Sequence, residues 1–135
     1  MRRPSARWWR RLSQPLAEPL SFTNPHVQRL RRLIGRRSAR SEDGAFVVEG
    51  PTLIGVAAEA GWRIESEYVT AGTAPVSGAP HFELADGVLE RVASTEHPQP
   101  NLAVVAMPGS VPTLDGRSFV LVADRLNDPG NLGTI

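Results

Sequence analysis

The sequence predicts an α/β fold, in which helices pack on a sheet, because helix-like and strand-like segments alternate along the chain. Apolar residues from Val27 to Ile34 fall at spacings of three, three and one, which is typical of a buried helix face. The continuous apolar run at 102–107 is typical of a strand buried on both faces. A short strand-like segment at 46–49 directly precedes a Gly–Pro helix start. Together these segments indicate helices lying on a sheet.

The first half of the predicted domain starts with a capped helix. Asn24 is a good N-cap and Pro25 suits the first helical position, so we expect the helix to begin there. Residues 38–44 are predicted to be its end and a loop. A strand at 46–49 and a second helix from Pro51 follow. Glu49, directly before that helix, is expected to cap it.

The second half repeats the alternation, ending in the most apolar strand. The predicted elements are a strand at 64–70, a loop at 71–80, a short strand at 81–84, a helix at 86–93, a rigid loop at 98–100 and a strand at 102–107. Residues 108–117 hold two prolines and two glycines, which indicates a linker. Phe119 to Ala123 then reads as the first strand of another domain.

Charge is divided unevenly along the chain. Residues 1–40 carry eleven arginines and one acid, whereas residues 41–135 carry four arginines and thirteen acids, so the net charge of +1 hides a strong asymmetry. A basic amino-terminal third predicts a polyanionic partner, most simply nucleic acid. All fifteen basic residues are arginine, which GC-rich coding explains, but coding does not explain the clustering.

Six arginines on and after the first helix are the predicted phosphate contacts. They are Arg29, Arg31, Arg32, Arg36, Arg37 and Arg40. The guanidinium group grips phosphate through two parallel hydrogen bonds, and we expect no counter-charges beside these side chains. A solvated helix face is the alternative interpretation.

Several classes of site and location are disfavoured by composition. The chain has no cysteine, and its three scattered histidines have no metal-ligand spacing, so no metal site is expected. No apolar stretch is long enough for a membrane helix, and residues 1–20 lack the apolar core of a secretory signal. The expected location is the cytoplasm, and no membrane partner is expected.

The segment after Asp124 is the candidate for chemistry. Pro129–Gly130 favours a tight turn, Asn131 has a side chain that both donates and accepts hydrogen bonds, and Gly133 permits close approach of a ligand. A turn of this kind opening a helix would also favour an anion. An ordinary strand-to-helix turn is the alternative on these residues alone.

Four segments resemble the SpoU/TrmH family of RNA ribose 2′-O-methyltransferases. Residues 119–135, FVLVADRLNDPGNLGTI, are similar to that family's first motif. Residues 24–33, 46–50 and 98–105 are similar, in the same order, to its amino-terminal substrate-binding domain. The resemblance covers about residues 23–135. One departure is Pro98-Gln-Pro-Asn101, where relatives commonly have Pro-Gln-Gly.

The resemblance implies a small α/β sandwich that binds RNA, followed by a truncated, knotted (SPOUT) α/β methyltransferase domain. The implied domains are a disordered basic extension at 1–22, the RNA-binding domain at 23–108, a linker at 109–117 and the start of the methyltransferase domain at 118–135. Asn131 would be catalytic, and Gly130 and Gly133 would be the motif glycines. The full-length enzyme would use S-adenosylmethionine on rRNA or tRNA and form a homodimer. We expect residues 1–135 alone to be inactive and to bind no cofactor.

Two other functions stay open at this point. One is a stand-alone RNA-binding module without catalysis, which the coding sequence after Ile135 would distinguish from an enzyme. The other, weaker alternative is a DNA-binding regulator built on the basic helix.

Overall fold

Local sequence signals place the starts of two helices, α1 and α3, in the computed structural model, which describes residues 18–109, 113–122, 124–125 and 133. Helix α1 is Pro25–Gly35, and Asn24 caps it by accepting a 2.9 Å hydrogen bond from the His26 amide. Helix α2 is Arg37–Asp43 and α3 is Pro51–Glu59. Gly50 precedes α3 with φ of 95°, a conformation that glycine adopts at little cost.

Four strands form one mixed sheet in the order β1-β4-β2-β3. The strands are β1 Ala45–Glu49, β2 Ile64–Val69, β3 His81–Glu83 and β4 Asn101–Ala106, and helix α4, Val88–Val92, lies between β3 and β4 in the chain. Strand β4 pairs antiparallel with β1 and β2 on its two sides, and β3 pairs parallel with β2 at the edge.

Helices cover both faces of this sheet, as an α/β sandwich requires. Leu102 and Val104 of β4 face a cluster built with α1 and α4, whereas Ala103 and Val105 face Ile54 of α3. The alternation follows from the two-residue period of a strand. The prediction that this strand is buried on both faces is therefore confirmed.

Packed structure begins before the predicted start at residue 23. Leu20 forms a parallel bridge with Leu84. Its amide donates a 2.7 Å hydrogen bond to the Glu83 carbonyl, and its carbonyl accepts a 3.0 Å bond from the Ala85 amide. Leu20 and Phe22 both pack against the core cluster of α1 and α4.

The loop prediction for residues 38–44 is wrong over most of its length, because those residues form most of α2. The sequence RSARSED buries only Ala39, so it has no apolar stripe to announce a helix. Gly44 ends α2 in the left-handed conformation, with φ of 61°.

The predicted strand at Phe119 to Ala123 is also absent over residues 119–122. These four residues are exposed and pair with no strand of the described chain. A strand needs a neighbour to satisfy its backbone groups, and the described residues offer this segment none. That it begins a methyltransferase domain stays a prediction.

Candidate nucleic-acid interface

Helix α1 separates an apolar face from a basic one. Val27, Leu30 and Leu33 are fully buried against the sheet. Because they are spaced three residues apart, the intervening positions point away from the core. The sequence thus orients its arginines by burying the residues between them.

Four of the six predicted arginines reach solvent. Arg31, Arg32, Arg36 and Arg37 are exposed, and Arg29 and Arg40 are half-buried. An open groove of about 790 Å³ runs beside α1, and the residues described as lining it include Gln28, Arg29, Arg31, Arg32 and Arg36. The groove offers guanidinium donors along one surface.

Two of these arginines have acidic partners, so the expectation of absent counter-charges is wrong for them. Arg29 donates a 2.9 Å hydrogen bond from Nε to Asp43 and a 2.8 Å bond from Nη1 to Glu65. Arg32 reaches the same Asp43 oxygen at 3.3 Å. The bond from Arg29 lowers the pKa of the Asp43 carboxyl, and in return raises the pKa of Arg29. Asp43 therefore neutralises part of the basic face.

The other four arginines make no ion pair within the described residues. Arg40 donates from Nη1 to the carbonyls of Leu33, at 2.9 Å, and Ile34, at 3.3 Å. These bonds satisfy carbonyls at the end of α1, so one guanidinium nitrogen of Arg40 already donates within the fold. Arg31, Arg36 and Arg37 are exposed, and no carboxylate of a described residue lies within 4.0 Å of them.

An aromatic group borders the start of α1. The exposed His26 ring lies 4.7 Å from the half-buried Phe82 ring, centroid to centroid, and its Nδ1 is 3.3 Å from the Tyr68 hydroxyl. Burial raises the pKa of Tyr68, which also receives a 3.1 Å hydrogen bond from Ser66. Sequence reasoning missed these neighbours, because Tyr68 and Phe82 come from β2 and β3.

Glu49 does not cap α3, contrary to expectation. Its Oε1 accepts hydrogen bonds from Thr95 Oγ1, at 3.1 Å, and from the Gln99 amide, at 2.9 Å. The residue before α3, Gly50, has no side chain to cap it. Glu49 instead fastens the loop that leads into β4.

The candidate catalytic motif lies largely outside the residues that the structure describes. Asn131 and Gly130 lie outside the described residues. Gly133 is exposed, and a Cβ atom built there meets no atom within 4 Å. The role of Asn131 therefore stays a prediction.

The described ranges contain neither a candidate metal site nor a candidate membrane-spanning helix. Across those residues there is no group of three or more His, Asp or Glu side chains that could hold a metal ion. None of the helices found there has the length and apolarity needed to span a bilayer.

Comparison with known proteins gives one family and a set of relatives. Residues 24–103 match the family described as MRM3-like substrate binding domain. An uncharacterized tRNA/rRNA methyltransferase of Synechocystis is 31% identical over 92% of this chain and 49% of its own length. The 23S rRNA (uridine(2479)-2′-O)-methyltransferase of Streptomyces viridochromogenes is 29% identical over 90% of this chain and 47% of its own length. The chain thus spans about half the length of these curated relatives.

Solved structures agree with this fold. The crystal structure of an RNA 2′-O ribose methyltransferase has a TM-score of 0.63 and 28% identity, over 85% of this chain and 48% of that one. The SpoU methyltransferase AviRb from Streptomyces viridochromogenes, solved with AdoMet, has a TM-score of 0.52 and 25% identity, over 63% of this chain and 36% of that one.

Proposed function

We propose that this chain, which belongs to the MRM3-like substrate-binding domain family within the SpoU/TrmH RNA methyltransferases, holds the RNA substrate of an S-adenosylmethionine-dependent enzyme. The curated relatives are named as rRNA or tRNA methyltransferases, so those RNAs are the proposed substrates. Ribose 2′-O specificity is the finer proposal, supported by the names of one relative and one similar structure.

The exposed arginines on α1 and directly after it are the observation that carries RNA binding. Arg31, Arg36 and Arg37 present donors to solvent with no acidic partner in the described part of the chain. Unpaired guanidinium groups favour binding to a phosphate backbone, because each one that neutralises a phosphate releases condensed counterions. Arg29, Arg32 and Arg40 are proposed as further contacts, although each also serves an internal bond.

Methyl transfer is proposed for the whole protein. When bound, S-adenosylmethionine would supply an electrophilic methyl group. Asn131 is proposed to orient the ribose hydroxyl, and Gly130 and Gly133 to shape the turn that carries it. A homodimer and a cytoplasmic location are proposed with it.

RNA titration at several salt concentrations tests the binding proposal. The substitution set Arg31→Glu, Arg32→Glu and Arg36→Glu should weaken binding of ribosomal or transfer RNA and flatten its salt dependence. The matched control is Arg63→Glu, Arg117→Glu and Arg125→Glu, which changes net charge equally at exposed positions. Equal losses in both sets would contradict a specific α1 surface. Preference for duplex DNA would favour the DNA-binding alternative.

A methylation assay tests the enzymatic proposal separately. The protein, with whatever sequence its gene encodes after Ile135, should transfer a labelled methyl group from S-adenosylmethionine to RNA, and Asn131→Ala should abolish the transfer. RNA binding without transfer would favour the stand-alone binding module. That residues 1–135 alone bind no cofactor stays a prediction, which micromolar binding by calorimetry would contradict.

A further inference from the structure

Phe22 brings two arginines from different helices to one aromatic ring. The Cζ atom of Arg91, on α4, lies 3.7 Å from the ring centroid, and the Cζ atom of Arg31, on α1, lies 5.6 Å from it. Both distances are within the range in which a guanidinium is attracted to an aromatic ring. Phe22 therefore joins the basic face of α1 to the outer surface of α4.

The position of this ring is fixed by the fold. The Phe22 carbonyl accepts a hydrogen bond from Gln28 Nε2 on α1. Two residues earlier, Leu20 is held to the 83–85 segment by two backbone hydrogen bonds. The ring itself is half-buried against the core cluster of α1 and α4. Arg31 and Arg91 thus approach an aromatic ring whose position is held by packing and by hydrogen bonds of the neighbouring backbone.

Both guanidinium groups keep their donors available. Arg31 and Arg91 are exposed, and neither has a carboxylate within 4.0 Å among the described residues. A guanidinium stacked on a ring uses its flat face, so its N–H groups remain free at the edge. Two like charges held near one ring repel each other, and an anion between or beside them relieves that repulsion.

We propose that Phe22, Arg31 and Arg91 form a binding site for an RNA backbone phosphate, which extends the RNA surface from α1 onto α4. This inference rests on the proposed RNA-binding function and adds Arg91 and Phe22 to it. The ring orients the Arg91 fork, and Arg31 contributes the second positive charge. The ligand class is a phosphodiester, recognised through charge-assisted hydrogen bonds without reading base identity.

Salt-dependent RNA binding by the full chain tests this site through Arg91. Arg91→Ala should weaken RNA binding several-fold and lower the slope of log affinity against log salt by about one. Arg91→Lys should restore most of the slope but not all of the affinity, because lysine keeps the charge and loses the planar stack. Arg63→Ala is the matched control, because Arg63 and α4 lie at opposite ends of β2. Arg63 directly precedes β2, whereas α4 follows β3, and the last residue of β3 pairs with the last residue of β2.

A double-mutant cycle separates a binding site from simple packing. Phe22→Leu keeps an apolar filler, and its effect on RNA affinity should be non-additive with that of Arg91→Ala. Circular dichroism and urea unfolding identify any variant that loses affinity by unfolding.

The failure of this site is distinguishable from the failure of the proposed function. If the unsubstituted chain binds RNA and Arg91→Ala leaves both affinity and salt slope unchanged, the site is wrong and the α1 surface stands. If Arg63→Ala lowers the slope as much as Arg91→Ala, the effect is one of total charge, and the site is again wrong. If the unsubstituted chain binds no RNA, the proposed function itself fails.

Discussion

Asn101 Nδ2 donates a 2.8 Å hydrogen bond to Glu67 Oε1, and both side chains are buried where β4 and β2 pair. The same carboxylate accepts bonds from the amides of Val76 and Ser77 and a 2.6 Å bond from Ser77 Oγ. Asn101 also donates to the Ala74 carbonyl at 3.1 Å. One carboxylate therefore fastens the loop between β2 and β3 onto the sheet.

Glu67→Gln should destabilise the domain by about 1–3 kcal/mol. In glutamine an NH₂ group, which is a donor, replaces one carboxylate oxygen. The donors that this oxygen accepted from then lack an acceptor. Urea unfolding measures the change. Glu96→Gln, at an exposed position, is the control and should leave the free energy of unfolding nearly unchanged. Equal stability of the two variants would contradict the anchoring role.

Glu67 should also make stability depend on pH. Burial by itself would raise the pKa of Glu67, but hydrogen bonds from Ser77, Asn101 and Val76 hold that pKa below its ordinary value. A lowered folded pKa gives stabilisation that is complete above the unfolded pKa, about 4.3, and is lost as pH falls through the folded pKa. The free energy of unfolding of the unsubstituted chain, measured with urea, should therefore fall on acidification below about pH 4. That of Glu67→Gln should fall less. Parallel pH profiles for the two proteins would refute this prediction.

Asp43→Asn should strengthen RNA binding. The substitution removes the carboxylate shared by Arg29 and Arg32, so both guanidinium groups become freer to meet phosphate, and the salt slope should steepen. Stability should change by no more than about 1 kcal/mol, because the ion pairs are partly exposed. Asp115→Asn makes the same charge change at an exposed site after the sheet. A gain in affinity of equal size in that control would show a general charge effect.

Gly50 and Gly55 should respond to alanine in opposite directions. At Gly50, φ is 95° and a Cβ would lie 3.4 Å from Gln99 Cγ, so Gly50→Ala should destabilise by about 1–3 kcal/mol. Gly55 lies inside α3 with no atom within 4 Å of a Cβ, so Gly55→Ala should stabilise by about 0.5–1 kcal/mol. Urea unfolding of both variants is the measurement, and a stabilising Gly50→Ala would be the contrary result.

Local and periodic signals account for the parts of the fold that the sequence predicted well. Asn24–Pro25 placed the start of α1, and Gly50–Pro51 placed the start of α3, because capping and proline geometry act within a few residues. The central strand was evident because burial on both faces demands an unbroken apolar run. Helix α2 was missed because its seven residues bury only Ala39.

Contacts between distant residues could not be predicted in the same way. Glu67 lies in a strand with mixed residues, where a carboxylate is ordinarily solvated, and its partners come from residues 74–77 and 101. The counter-charge on Arg29 comes from Asp43 and Glu65, which only the tertiary fold brings near. The arginine helix itself was predicted, whereas the pairing of Arg91 with Phe22 required the packing of α4 on α1.

The strand at the centre of the sheet is the last of the four along the chain. Until residues 101–106 leave the ribosome, β1 and β2 have no partner between them, and their inner edges stay open. Most of the domain's long-range pairing is then formed in a single late step, so nascent chains that stall before this point are the ones most exposed to aggregation and most in need of a chaperone.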